Sequence, residues 1–379
     1  MKHLYYAGRS DGPRTSLAER PQPAYELHKS GAYQPGPGLV AAANVAILLG
    51  QPLLLTGEPG TGKTRFAYAM ARELGLGKVH ECFVKSSTSA RDLFYSFDEL
   101  ARFRDNQANN PQPLQRYLSF NGLGRAILFA GGSAQPLELL PGLAFESAPP
   151  TGLDKGRTRS AQRPRVFGDL YPAEAFPPAA TASLVLIDEL DKAPRDTPND
   201  MLNEIELLGF DIPELGVRVT VPGDPKTRPV IVITSNSEKS LPEPFLRRCV
   251  YYDIPFPTAA LREIVYAQVK GLQDGSGELL REALALFDRL RDRTRIQRPP
   301  GTAELLCWID ALLGADLKPA DSLRSAIVAA LKADAEVLTV QATAAPIMPS
   351  LVEMSLSVLV KKAEDRTGAL DVIQKWAQP

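Results

Sequence analysis

Short apolar runs mark the first two thirds of the chain. PLLLT (Pro52–Thr56), VHECFV (Val79–Val84), SLVLI (Ser183–Ile187), PVIVITSN (Pro229–Asn236) and VYYDIPF (Val250–Phe256) all have strand length. Several are apolar almost throughout instead of alternating, which predicts strands covered on both faces. Helical patterns lie between them. LVAAANVAILLG predicts a short apolar helix stopped by Gly50, and RFAYAMARELGLG predicts a helix with Phe66, Ala69, Met70 and Leu74 apolar, ended by Gly75 and Gly77. Thr197 and Pro198 predict an N-cap and first-turn pair opening the helix NDMLNEIELL, while FDIP and VRVTV around ELG predict a hairpin. Strands alternating with helices predict an α/β domain on a parallel sheet. After Pro257 the strand signals stop. AALREIVYAQVKGL, ELLREALALFDRLRDR, TAELLCWIDALL, SLRSAIVAALKADAEVL and SLVEMSLSVLVKKAEDR all carry helical periodicity. The expected organisation is an arm over 1–35, an α/β core over 36–257 and an all-helical domain over 258–379.

Composition changes this picture little. Of 379 residues, 44% are hydrophobic and 23% charged, which excludes a disordered or fibrous chain. Lys and Arg (43) balance Asp and Glu (44), so no whole-chain charge drives binding to nucleic acid or an anionic membrane. Proline is abundant at 33 residues and predicts long irregular connections, of which 131–182 is the longest. That Pro/Gly-rich segment carries Lys155, Arg157, Arg159, Arg163 and Arg165. It reads as a solvated insertion, a pore loop, or a contact for nucleic acid or an acidic partner. Cys82, Cys249 and Cys307 have no metal or redox spacing and read as small buried residues in a reducing cytosol. His3, His28 and His80 are too scattered for a histidine metal site. The opening MKHLYYAGRSDG has no apolar segment, and Val45–Thr56 falls far short of the ~20 residues a membrane span needs. A cytoplasmic protein without membrane insertion is expected.

The chemistry is concentrated in three places. Gly57, Glu58, Pro59, Gly60, Thr61, Gly62, Lys63 and Thr64 fit G-x-x-x-x-G-K-[ST] between an apolar strand and a helix. Phosphates need a ring of backbone N–H groups around a tight turn at a helix N-terminus. Lys63 then supplies charge to the β- and γ-phosphates of ATP, and Thr64 a hydroxyl to Mg²⁺. LVLIDE delivers Asp188 and Glu189 at a strand's carboxyl end, where ligands of open α/β sheets bind. Asp188 suits Mg²⁺, and Glu189 the orientation and deprotonation of an attacking water. Asn236 ends the strand PVIVITSN and could reach the γ-phosphate or that water. Arg247 and Arg248 precede the last strand. Beside a phosphate-binding loop, such a pair suits an arginine finger offered to a neighbouring subunit.

Taken in order, GEPGTGKT (a Walker A loop), LVLIDE (Walker B), the sensor asparagine of TSN, an arginine before a terminal strand and a helical lid resemble the AAA+ ATPases. Within them AAANVAILLGQPLLLTGEPGTGKT, DELDKAP, the hairpin before the sensor strand and LPEPFLRRC resemble the MoxR family, over about 36–315. The resemblance implies a P-loop AAA+ fold with a parallel sheet flanked by helices and followed by a helical lid. It implies a hexameric ring with nucleotide at subunit interfaces, and a chaperone-like action on protein clients, often beside von Willebrand factor A domain partners. By it, Lys63 and Thr64 take the phosphate and Mg²⁺ roles, Asp188 and Glu189 the Walker B roles, and Asn236 is sensor 1. Arg248 is preferred to Arg247 as the finger. The lid arginine of the family lies in a motif close to GASPRA. Here RIQRPPGTAELL stands in that place, Gly301 falls where the arginine would be, and either Arg298 or Arg295 substitutes in contacting ATP or this lid contact is absent. Residues 86–125 correspond to the family's insertion in the second core helix. The other classes open at this point are a nucleic-acid-directed motor or restriction-type NTPase, and a slow nucleotide-dependent assembly switch.

Overall fold

The computed structural model describes residues 33–110, 112–141, 164–170, 176–221, 223–236, 241–269, 272, 277–292, 296–339 and 350–378. They fall into two compact units. One holds Gln34–Gly57 and Lys63–Ile254; the other holds Tyr33, Glu58–Gly62 and the residues from Pro255 onward.

The described residues of the first unit form ten strands: β1 (Leu53–Thr56), β2 (His80–Phe83), β3 (Tyr95–Phe97), β4 (Leu118–Phe120), β5 (Glu138–Leu139), β6 (Leu184–Asp188), β7 (Gly209–Ile212), β8 (Val217–Thr220), β9 (Val230–Thr234) and β10 (Val250–Asp253). Five form a parallel sheet in the order β10-β1-β9-β6-β2. Leu54, Val185, Ile187, Ile231 and Ile233 join one core with the helix Gly122–Gly131 and the β7–β8 hairpin. The alternate residues Leu53, Leu55, Leu184, Leu186 and Val232 are equally buried. Both faces of the sheet are therefore covered, as runs without polar alternation require. The result is a P-loop α/β core with a parallel sheet flanked by helices.

The second unit is helical, over Leu261–Gln268, Glu278–Leu290, Thr302–Gly314, Leu323–Thr339, Leu351–Leu359 and Ala363–Ala377. Trp308, Phe287, Leu305, Ile309 and Trp376 lie in its core. Two buried carboxylates organise its loops. Asp365 accepts the backbone N–H groups of Gln297 and Arg298, and Glu282 accepts from Ser322 and Arg324. The Trp308 Nε1–H donates to Ser355 at 2.9 Å, satisfying a buried indole. No helix of the described residues is long and apolar enough to cross a membrane.

Three local expectations change. The Thr197 hydroxyl is not an N-cap; it donates to the Thr88 carbonyl at 3.0 Å, and Asp196 takes the cap position. The helix expected beyond it is split into Thr197–Asp200 and Leu202–Leu207. The ends of 131–182 are not separate from the core. β5 pairs with β8, Pro136 bridges to Val166, and Phe167 and Phe176 are buried. Lys155, Arg157, Arg159 and Arg163 lie outside the described residues, whereas Arg165 is exposed. Within 86–125 the structure has the β3–β4 pair and the helix Glu99–Gln107. Cys82 and Cys249 are held protonated, burial pushing their thiols up to about 11 and about 12.

Gly124 shows how tightly the core closes. A Cβ there would stand 2.1 Å from the Phe94 carbonyl oxygen, a backbone atom that cannot swing aside. Gly124→Ala is expected to cost about 1–3 kcal/mol, read as a lower denaturant midpoint at unchanged slope. An unshifted midpoint would contradict this packing.

Candidate nucleotide-binding site

β1 runs directly into the glycine-rich turn, which opens the helix Lys63–Glu73. Gly57, Gly60 and Gly62 have φ of 131°, 84° and 93°, a region that L side chains rarely adopt, so the turn needs glycine at these positions. The Thr61 N–H and hydroxyl both donate to the Glu58 carbonyl, closing the turn. Lys63 is buried, and its Nζ donates to the Gly57 carbonyl at 2.8 Å. Desolvation lowers its pKa below the ordinary 10.5, opposed by the carboxylates of Asp188, Asp191, Asp253 and Glu189. Four acids thus surround one lysine.

Asp188, at the end of β6, is the hub of this acid group. Its Oδ1 accepts the Thr64 hydroxyl at 3.1 Å and the Thr234 hydroxyl at 2.6 Å. Thr234 also accepts the Glu189 N–H at 2.9 Å, so one buried hydroxyl holds both acids of the pair. Glu189 is left-handed at φ 59°, an uncommon conformation for a residue with a side chain and one that clusters at functional sites. Its carboxylate pairs with Lys192. At the edge of the sheet, Thr56 donates to Asp253 at 2.8 Å and lies 2.9 Å from the Tyr251 hydroxyl, fixing the strand just before Gly57.

The other expected residues are distributed as follows. The Asn236 N–H donates to Asp191 at 3.1 Å, which ties the end of the sensor strand to the segment after Glu189. The Arg248 backbone N–H donates to the Phe245 carbonyl, and its side chain, 48% exposed, stands 3.6 Å from Glu206. Arg247 is 75% exposed and pairs with Glu243 one turn away. Neither arginine is paired with Asp188 or Glu189. Arg298, in the helical unit, is exposed and lines a cleft of about 190 Å³ with Glu58, Pro59, Glu304 and Lys361. Arg295 lies outside the described residues. Sequence reasoning missed Thr234, Asp253, Lys192 and Arg291. Thr234 was within reach, two residues before Asn236 on the same strand.

The donor set fits a hard cation. A hydroxyl and a carboxylate oxygen meet at Thr64 and Asp188, and the described residues contain no cluster of three or more His, Cys, Asp or Glu that could hold a metal unaided. Mg²⁺ is bound in this sparse way, by one or two protein oxygens with phosphates and water.

A family model described as AAA domain (dynein-related subfamily) matches residues 52–249, just over half of the chain. The chain belongs to this AAA family. The AAA match spans the glycine-rich turn, Asp188, Glu189, Asn236 and Arg248. The AAA+ P-loop core and the helical region that follows it are both present. No curated protein matches the chain. Among solved structures, a lysine-to-arginine mutant of RuvB from Thermotoga maritima is 16% identical with a TM-score of 0.36, covering 74% of this chain and 62% of that one. NtrX from Brucella abortus is 14% identical with a TM-score of 0.40, covering 78% and 54%. The chain therefore spans less than two thirds of either.

Thr234→Val keeps the shape of the side chain and removes the hydroxyl that bridges Asp188 and Glu189. It is expected to cost about 1–3 kcal/mol in unfolding free energy, because the Glu189 N–H loses its acceptor. ATP turnover should fall by at least tenfold with ATP binding largely kept. Turnover at the wild-type level would show that the bridge does not set the site.

Proposed function

We propose that the chain is an ATP-hydrolysing, MoxR-like AAA+ ring ATPase that uses its cycle to remodel or activate a protein partner. The observation that carries the chemistry is the junction of Thr64, Asp188 and Thr234, which sets a Mg²⁺-type oxygen pair beside Lys63 and Glu189. The MoxR reading is supported by the motif sequences, by the β7–β8 hairpin preceding β9, and by the β3–β4 pair and its helix following β2.

In this reading the backbone of Gly57–Thr64 receives the phosphates of ATP, and Lys63 exchanges the Gly57 carbonyl for the β/γ-phosphate oxygens. Bound Mg²⁺ would neutralise charge on the phosphates from Thr64 and Asp188. Glu189 leaves Lys192, orients a water and takes its proton as the water attacks the γ-phosphorus and the bond to the β–γ bridging oxygen breaks, releasing ADP, while Asn236 steadies that water or the γ-phosphate. The cation still needed for the charge on the transferred phosphoryl group comes from Arg248 of a neighbouring subunit. Its backbone is anchored between the Phe245 carbonyl and the start of β10, and an exposed pairing such as that with Glu206 is worth at most about 1 kcal/mol. The partner is a protein, with von Willebrand factor A domains the favoured class on the family resemblance.

Two experiments test this. Lys63→Ala should abolish ATP binding, and Glu189→Gln should keep binding while turnover falls by at least a hundredfold. Turnover persisting in Glu189→Gln would remove Glu189 from the role of base. Arg248→Ala should bind ATP but not hydrolyse it, and mixing it with excess Lys63→Ala subunits should restore part of the activity. An in-trans arginine is worth about 10³–10⁵ in rate in related chemistry. No rescue in confirmed mixed assemblies would refute the trans role, and a dead Arg247→Ala beside an active Arg248→Ala would reassign the finger.

A further inference from the structure

The turn Glu58–Gly62 clusters with the helical unit, and within that unit Arg291 contacts it. Arg291 follows the helix Glu278–Leu290, and its side chain is only 14% exposed. Its Nη2 donates to Glu58 Oε2 at 2.7 Å, its Nη1 donates to the Pro300 carbonyl at 2.5 Å, and its Cζ lies 3.3 Å from the centroid of the Phe256 ring. The backbones meet closely beside this pair. A Cβ on Gly301 would stand 2.7 Å from the Pro59 carbonyl oxygen, and one on Gly60 would stand 3.2 Å from the Thr302 nitrogen.

Glu58 is an awkward residue for this place. It follows Gly57, whose carbonyl holds Lys63, so a full negative charge sits within the segment that receives a polyanion. Its carboxylate is about two-thirds buried, where water screens it less than on an open surface. Arg291 meets it from far along the chain with a guanidinium that is itself largely buried and fixed on three sides. A fixed, desolvated cation of this kind is a strong partner for a carboxylate.

We propose that Arg291 is a charge-compensating residue for nucleotide binding, cancelling Glu58 so that the turn accepts the phosphates of ATP. The inference rests on the nucleotide-binding reading above. It gives Arg291 a positioning role through Glu58, with no contact to the nucleotide. The cost of losing it must then be the repulsion by Glu58, and removing Glu58 must cancel that cost.

The test is a four-way comparison of ATP and ADP dissociation constants by calorimetry, for wild type, Arg291→Met, Glu58→Gln and the double variant. Methionine keeps an unbranched apolar side chain at this buried position and removes the guanidinium with its charge. Arg291→Met should weaken ATP about tenfold and ADP less, because ADP carries less charge. Glu58→Gln should tighten ATP severalfold, and the double variant should return to within about threefold of wild type. A double variant as weak as Arg291→Met would mean that the guanidinium acts on the nucleotide or on the fold, and would overturn the proposal. Equal affinities in all four would also overturn it. If Arg291→Met loses its helical circular dichroism, Glu58→Gln alone decides: ATP binding unchanged or weakened there contradicts a repulsive Glu58. A wild type that binds no ATP would refute the nucleotide-binding reading itself, whereas the other failures leave that reading standing.

Discussion

The carboxylate of Asp188 is the point on which the candidate site turns. One of its oxygens accepts hydrogen bonds from the hydroxyls of Thr64, on the helix after the glycine-rich turn, and Thr234, at the end of the neighbouring strand β9. Those two bonds tie the first turn of a helix and two sheet strands to one atom. The same Thr234 hydroxyl fixes the N–H of Glu189 in its left-handed conformation. The position of the proposed base is thus set by the backbone, while its side chain stays free to leave Lys192.

The parallel sheet makes this junction possible. β6 and β9 are neighbours, with Ile187 opposite Ile233, so Asp188 and Thr234 emerge side by side at the carboxyl ends of their strands. β1 lies on the other side of β9 and feeds the glycine-rich turn at the same edge. β10 then adds Asp253 beside Thr56. A sheet covered on both faces holds these strand ends rigidly, and glycines with positive φ bend the chain away at the one place where bending is required.

Much of this was legible in the sequence, and the reasons are local. Apolar runs without alternation marked the three central sheet strands, β1, β6 and β9, and a glycine motif between strand and helix marked Lys63 and Thr64. What escaped depended on partners distant in the chain. Thr234 reads as an ordinary strand residue until β6 is beside it. Arg291 reads as one of several charges at the end of an amphipathic helix, and only the fold brings it to Glu58. Thr197 reads as a helix cap because it stands directly before Pro198, whereas the fold gives its hydroxyl to the Thr88 carbonyl. Short paired segments such as β5 carry too few residues to show a period. Phe167 and Phe176, within a proline-rich stretch, gave no sign that they reach the main core.

In the proposed reading, Asp188 and Thr64 together hold the Mg²⁺ of bound ATP. It is tested most directly by calorimetric ATP affinity with and without Mg²⁺, in wild type and in Asp188→Asn. Wild type should bind ATP markedly more tightly with Mg²⁺, and Asp188→Asn should lose most of that enhancement while keeping the Mg²⁺-free affinity. An Asp188→Asn protein that retains the full Mg²⁺ enhancement would show that Asp188 does not hold the ion.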